Sequence, residues 1–374
     1  MKRIIYWAAL ILPLLAGCTK PSSYPDAPAP EQYDRYIFFS HGVETKASLI
    51  ESAADLDGKA FGVVGFKYDA ATTWSAVKDD ATPNVFYDED PDAAGTYSLT
   101  DVETVSVSAD GTNTTVGVGS YTPLQGWSNS KKYSFFAYYP VGNQYVSLVN
   151  LGKDSNYNPG VPAIKYTMDL TNGESFTASM VDVMTATAHE DLYWKSVSDK
   201  SESTSANGEV YFSFNHCLSC LGLNLKNSTA GSITVDSVTF HLTGLQYQSI
   251  TIPLDGSAKT PTGSSTDIDC ALQVGEGGVA IPSVSNDSDG VELTDKLILI
   301  PQTVPLTFTV TVGYTRSLEG YTDNTTSFTT GDLSTSLEGR KKYIVNLKFT
   351  DSTVDVGFKS GAWAERHTID NTFN

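Results

Sequence analysis

The sequence has 374 residues, 40% of them hydrophobic, which is enough chain and enough apolar side chain for two cores of ordinary domain size. Its 24 Lys and Arg against 43 Asp and Glu leave a net charge of −19, which argues against nucleic-acid binding and against electrostatic docking on an anionic membrane. After residue 18 no run of about twenty apolar residues occurs, so no later segment is long enough to span a bilayer as a helix.

Lys2 and Arg3 give a positive start, residues 4–16 a short apolar stretch interrupted by Pro13, and Ala16 and Gly17 precede Cys18. That order is a secretory signal, and Leu15-Ala16-Gly17-Cys18 resembles a bacterial lipobox, in which the cysteine is acylated and becomes the mature N-terminus. Residues 1–17 are therefore expected to be a lipoprotein signal peptide, with Cys18 as the lipid attachment point. Residues 18–34, "CTKPSSYPDAPAPEQYD", are too rich in Pro, Ser and Ala to bury a core, and are expected to be a flexible tether.

From residue 35 onward almost every segment reads as strand. "YIFFS", "AFGVVGFKY", "KKYSFFAYYP", "VYFSF", "LGLNLK", "ITVDSVTFHLTGL", "LTFTVTVGY", "KKYIVNLKFT" and "VDVGF" join β-branched and aromatic residues in short-period alternation. Asp110-Gly111, Asp255-Gly256 and Asp289-Gly290 supply turn residues that tolerate positive φ. Only "SLIESAADL", residues 48–56, has room for a short helix, so the chain is expected to be all-β and built as sandwiches. The polar run "SVSDKSESTSANGE" divides it into a first unit at 35–205 and a second at 206–374. Just beyond, Val210, Phe212, Phe214, His216 and Leu218 have even parity while Leu221, Leu223 and Leu225 are odd. One strand cannot bury both sets on one face, which predicts a bulge or break between Leu218 and Leu221.

Chemistry-bearing constellations are sparse. Cys217 and Cys220 have redox or half-zinc spacing, yet they lie in a strand pattern with only His216 beside them, and Cys270 is isolated. Structural thiols are expected, and with an odd number of mature-region cysteines besides Cys18, at least one stays free. Asp88, Asp90 and Asp92 alternate as in a calcium loop, but Ala93 and Leu99 stand where an EF-hand needs Gly and Glu, so a solvated acidic loop is expected. No nucleophile elbow, phosphate-binding Gly-rich loop or His-Glu-x-x-His occurs. The reading is that of a protein without catalytic residues, metal or cofactor.

Several segments taken together resemble the Bacteroidetes fimbrillin family, pilus subunits and subunit-like lipoproteins: "YIFFSHGVETKA", "WSNSKKYSFFAYYP", "VDVMTATA", "VYFSFNHCLSCLGLNLK", "KLILIPQ", and "GRKKYIVNLKFT" with "VDVGFKSGAW". The resemblance implies two consecutive transthyretin-like Greek-key β-sandwiches. It also implies a location at the outer membrane surface or in a pilus, with other pilus subunits as partners and the acyl group as membrane anchor. In polymerising members a trypsin-like protease cuts after a basic residue, the first strand leaves, and a neighbour's strand fills the apolar groove. Carried onto this sequence, the displaceable strand is Tyr36, Ile37, Phe38 and Phe39, and the cut falls at Lys46, where the family more often has arginine. The donor would be drawn from Val354, Val356 and Phe358 with Ile369 and Phe373 of the tail.

A competing expectation is a surface glycan-binding lipoprotein of a nutrient uptake system, with Trp74, Trp127, Tyr138 or Trp194 as a stacking platform for host or bacterial surface glycans. The two expectations differ on whether those aromatics are exposed.

Overall fold

A computed structural model describes residues 36–43, 53–81, 83–86, 102–110, 113–122, 124–128, 130–149, 160–193, 209–283, 290–318, 321–322 and 326–362. The chain is all-β, with a 3-10 turn at Ala53–Leu56 and short helices at Trp74–Val77 and Gly173–Ser179. The turn lies at the end of the segment expected to be helical; residues 48–52 fall outside the described residues.

The first sheet has eight strands, and all but His189–Leu192 close into a circuit of pairing. Around it run Ala60–Asp69, Val102–Asp110, Asn113–Ser120, Phe38–Val43, Glu209–His216, Met184–Ala186 and Lys131–Tyr139, which pairs back onto Ala60–Asp69. Inside lies an aromatic-rich core of Phe39, Phe61, Phe86, Tyr121, Trp127, Tyr133, Phe135, Phe212 and Phe214.

Two of these strands are covered on both faces. Phe61 and Val63 face the circuit while Val64 and Phe66 face the other core; Phe135 and Ala137 divide from Phe136 and Tyr138 in the same way. Double coverage explains why "AFGVVGF" and "YSFFAYY" are nearly continuous in apolar residues, since a strand with one wet face would alternate.

The second core lies between the sheet of Ser219–Asn227, Lys341–Phe349 and Val354–Ala362 and the sheet centred on Ser232–Leu245 and Leu306–Leu318. A smaller sheet ties early and late sequence together: Val146–Val149 and Ala163–Thr167 pair on with Ser249–Pro253 and Thr260–Thr262. Glu209–His216 lies in the first sheet, and after Cys217 and Leu218 the chain resumes as Ser219–Asn227 in the second core. The break therefore falls at Cys217 and Leu218, just ahead of the interval from Leu218 to Leu221 where it was expected, and there the strand changes sheets instead of bulging within one.

Candidate strand-exchange site

Residues 36–39 were expected to form a removable apolar strand, and the alternation of an extended backbone sets which side chains face inward. Ile37 and Phe39 are 0% and 1% exposed, whereas Phe38 between them points out at 41%. Phe38–Val43 is an inner strand. It pairs in parallel with Glu209–His216 along its whole length, Phe38 opposite Glu209 through Val43 opposite Phe214. Its other edge is antiparallel to Asn113–Ser120, with Phe39 opposite Gly119.

The Phe39 ring fills the floor of this slot. It stacks on Phe212 at 5.5 Å and meets Tyr121 at 5.3 Å, Phe135 at 5.6 Å and Phe86 at 6.2 Å, the offset and tilted geometries that aromatic quadrupoles favour. Gly119 makes the fit possible. A Cβ there would lie 2.5 Å from Cγ1 of Val105 and 3.1 Å from the Phe39 carbonyl oxygen. His41 is the third inward residue, fully buried with its ring 5.6 Å from that of Phe61.

Tyr36 and Ile37 lie beyond both ladders and are held by the loop at 124–128. The Ile37 amide donates to the Gln125 carbonyl (2.9 Å), the Tyr121 hydroxyl donates to the Ile37 carbonyl (2.8 Å), and Tyr36 bridges to Gly126. Nothing local in the sequence signalled this clasp, because the bonded partners are 84 residues apart.

The candidate donor residues sit in a different setting. Val354, Val356 and Phe358 lie on Val354–Ala362, an end strand of its sheet, paired on one side with Lys341–Phe349. Val354 and Phe358 are half-buried, Val356 is 37% exposed, and the Phe358 ring touches Phe308 and Tyr343. Cys18, Lys46, Ile369, Phe373 and the Asp88, Asp90 and Asp92 loop lie outside the described residues.

The remaining candidates are packed. Cys217, Cys220 and Cys270 are buried free thiols, and burial, followed by Asp269 and Asp295, pushes the Cys270 thiol up to about 12. His216 Nδ1 lies 2.7 Å from Asp182 Oδ1, both inside the protein at the point where the chain crosses between sheets. Among the described residues no group of three or more His, Cys, Asp or Glu is placed to hold a metal ion, and no helix is long and apolar enough to cross a membrane. Trp74, Trp127 and Tyr138 are all buried, so none of them is a platform for sugar stacking; Trp194 lies outside the described residues.

Comparison with known proteins bears on the family and the fold. A family model described as fimbrillin-like matches residues 75–363. A crystal structure of a fimbrial protein from Bacteroides vulgatus ATCC 8482 is similar with a TM-score of 0.57 at 19% identity, covering 88% of this chain and 99% of that one. A candidate cell adhesion protein from Bacteroides uniformis ATCC 8492 matches with a TM-score of 0.43 at 16% identity, over 88% of this chain and 98% of that one. Another, from Bacteroides ovatus ATCC 8483, matches with a TM-score of 0.44 at 15% identity, over 90% and 99%. No curated protein matches the sequence. At such identities the first of these structures speaks for the fold alone.

Proposed function

Since the chain belongs to the fimbrillin-like family, we propose that it is a pilus-associated surface subunit that supports cell adhesion and joins other subunits by exchange of its first strand. The observation that carries this reading is the slot: a strand of six residues, paired on both edges and buried at its four central positions, lying within ten residues of Lys46 in the sequence.

The energetics favour replacement over vacancy. Each large side chain taken from water stabilises by about 1.5–3 kcal/mol, so uncovering the sites of Ile37 and Phe39 alone forfeits roughly 3–6 kcal/mol. Net stability of a folded domain is only about 5–15 kcal/mol. An emptied slot, with two unpaired ladder edges as well, is therefore a strong acceptor for another extended segment, the mode known as β-strand addition. In this reading acylation at Cys18 brings the precursor to the outer membrane, cleavage at Lys46 frees the first strand, and the remainder of the unit at 35–205 travels with the unit at 206–374 as one subunit. The donor row is Val354, Val356 and Phe358, continued by Ile369 and Phe373.

Treating the purified precursor with a trypsin-like protease tests it. Laddered, detergent-resistant multimers are expected by gel and electron microscopy, and Lys46→Ala should stay monomeric and lipidated. A protein cut at Lys46 that remains monomeric, or a Lys46→Ala variant that enters fibres normally, overturns the reading.

A further inference from the structure

The slot has a mouth that reads one position of its occupant. At residue 37 both main-chain groups are taken by elements outside the ladders: the N–H by the Gln125 carbonyl, the C=O by the Tyr121 hydroxyl. The same hydroxyl accepts from the Gln125 N–H at 3.2 Å, so one side chain ties the loop to the strand. The loop is pinned from its far side by a second tyrosine, whose hydroxyl donates to the Gly126 carbonyl (3.2 Å) and accepts from the Ser128 amide (2.9 Å). Trp127, 1% exposed, packs its ring 4.9 Å from that of Tyr133. Ladder bonds alone let a strand slide by two residues and keep the same face inward. A clamp at a single position does not.

We infer that residues 124–128 with Tyr121 set the register of whatever strand fills the slot, and that the matching occupant is residues 356–362 of a second copy, running in the direction of the strand it replaces. The inference rests on the strand-exchange reading above. An occupant must offer a free N–H and a branched apolar side chain at the clamped position and an aromatic ring two residues on. Residues 37–43 read Ile-Phe-Phe-Ser-His-Gly-Val, and 356–362 read Val-Gly-Phe-Lys-Ser-Gly-Ala. Val356 then takes the Ile37 site, Phe358 the Phe39 site, and Gly361 falls where Gly42 lies. Val356 is 37% exposed in its own sheet and would enter a site where Ile37 is 0% exposed, and an edge strand with one partner would gain two.

Amide hydrogen exchange on the full chain tests the clamp without any assembly step. Tyr121→Phe should speed exchange of residues 37–43 about five-fold, the effect of losing one ordinary hydrogen bond, while Ser232–Leu245 stays unchanged. Tyr133→Phe, which frees the loop without touching Ile37, should act in the same direction. Unchanged exchange at 37–43 in both variants overturns the clamp. The register is tested on protein cut at Lys46 with a synthetic peptide of residues 354–362. Val356→Pro in the peptide should slow displacement of the first strand at least ten-fold, and Val354→Pro, outside the slot, should not. The reverse order overturns the register. Failure of every peptide to displace, with the exchange result intact, sinks strand exchange and this donor while leaving the clamp in place.

Discussion

The first strand and the last described strand share a pattern and differ in setting. Both carry apolar residues at alternate positions, Ile37 and Phe39 in one, with apolar Phe38 between them, and Val354, Val356 and Phe358 in the other. The first is flanked on both edges and its inward side chains are sealed; the last is paired on one edge and its apolar row is only half covered. Alternation thus specifies which residues share a face and leaves undetermined how much each strand is worth. That worth comes from pairing with sequence far away, and it separates a strand whose loss opens the protein from one whose loss trims an edge.

Truncating a ring in each strand breaks the comparison most directly. Phe39→Ala removes a side chain held by four other rings at a site with no room to collapse, and should cost about 3–5 kcal/mol in denaturant unfolding. Phe358→Ala, half-buried against Phe308 and Tyr343, should cost about 1–2 kcal/mol. Equal costs would mean that the slot is no better packed than the edge. Between these lies Gly119→Ala, whose new methyl group would collide with Val105 and crowd the Phe39 carbonyl, at about 1–3 kcal/mol. Its effect should shrink in Val105→Ala, which vacates the contested space; additive costs in the double variant would show that the clash is not the cause.

Part of this contrast was legible in the residues, and the rest was hidden for a physical reason. Parity called for a break between Leu218 and Leu221, and the chain breaks just before that interval, at Cys217 and Leu218; it could not say which of Ile37, Phe38 and Phe39 turns outward, because all three are apolar. Periodicity was mute where both faces are covered, as at Val63 with Val64 and Phe135 with Phe136, because no position there has to be polar. The parallel partner Glu209–His216 and the Tyr121 hydroxyl were also out of reach. Pairing over such separations is decided by the whole packed core, and neither partner carries a local mark of the other. Val354, Val356 and Phe358 were recognisable as one apolar row; their place at the edge was not.

Acid should separate the two regions with the smallest effect. His189 packs its ring 5.5 Å from Phe212, the side chain on which Phe39 stacks, and its Nε2 meets the Tyr211 carbonyl. Burial penalises the imidazolium more than that carbonyl supports it, so the group titrates below its ordinary 6.5 when folded. The unfolded chain then binds more protons as pH falls through 6.5, and stability drops over that window, by at most about 1.4 kcal/mol per pH unit. On the other side Glu292, bonded to Lys342 and Lys296, behaves differently. Burial raises its carboxyl, but the two ammonium groups outweigh it and hold it below 4.5, so its contribution persists above about pH 4.5 and is lost only below. Between pH 7.5 and 5.5, with the base-catalysed slowing of intrinsic exchange divided out, protection should therefore fall at residues 37–43 and hold steady at Lys341–Phe349. Glu190, raised by burial and by Asp255 and Asp191, works with the opposite sign, which is why the decisive comparison is against His189→Gln, where Glu190 is kept. The variant should show the weaker acid response at 37–43, and an identical response in both proteins would remove His189 as its source.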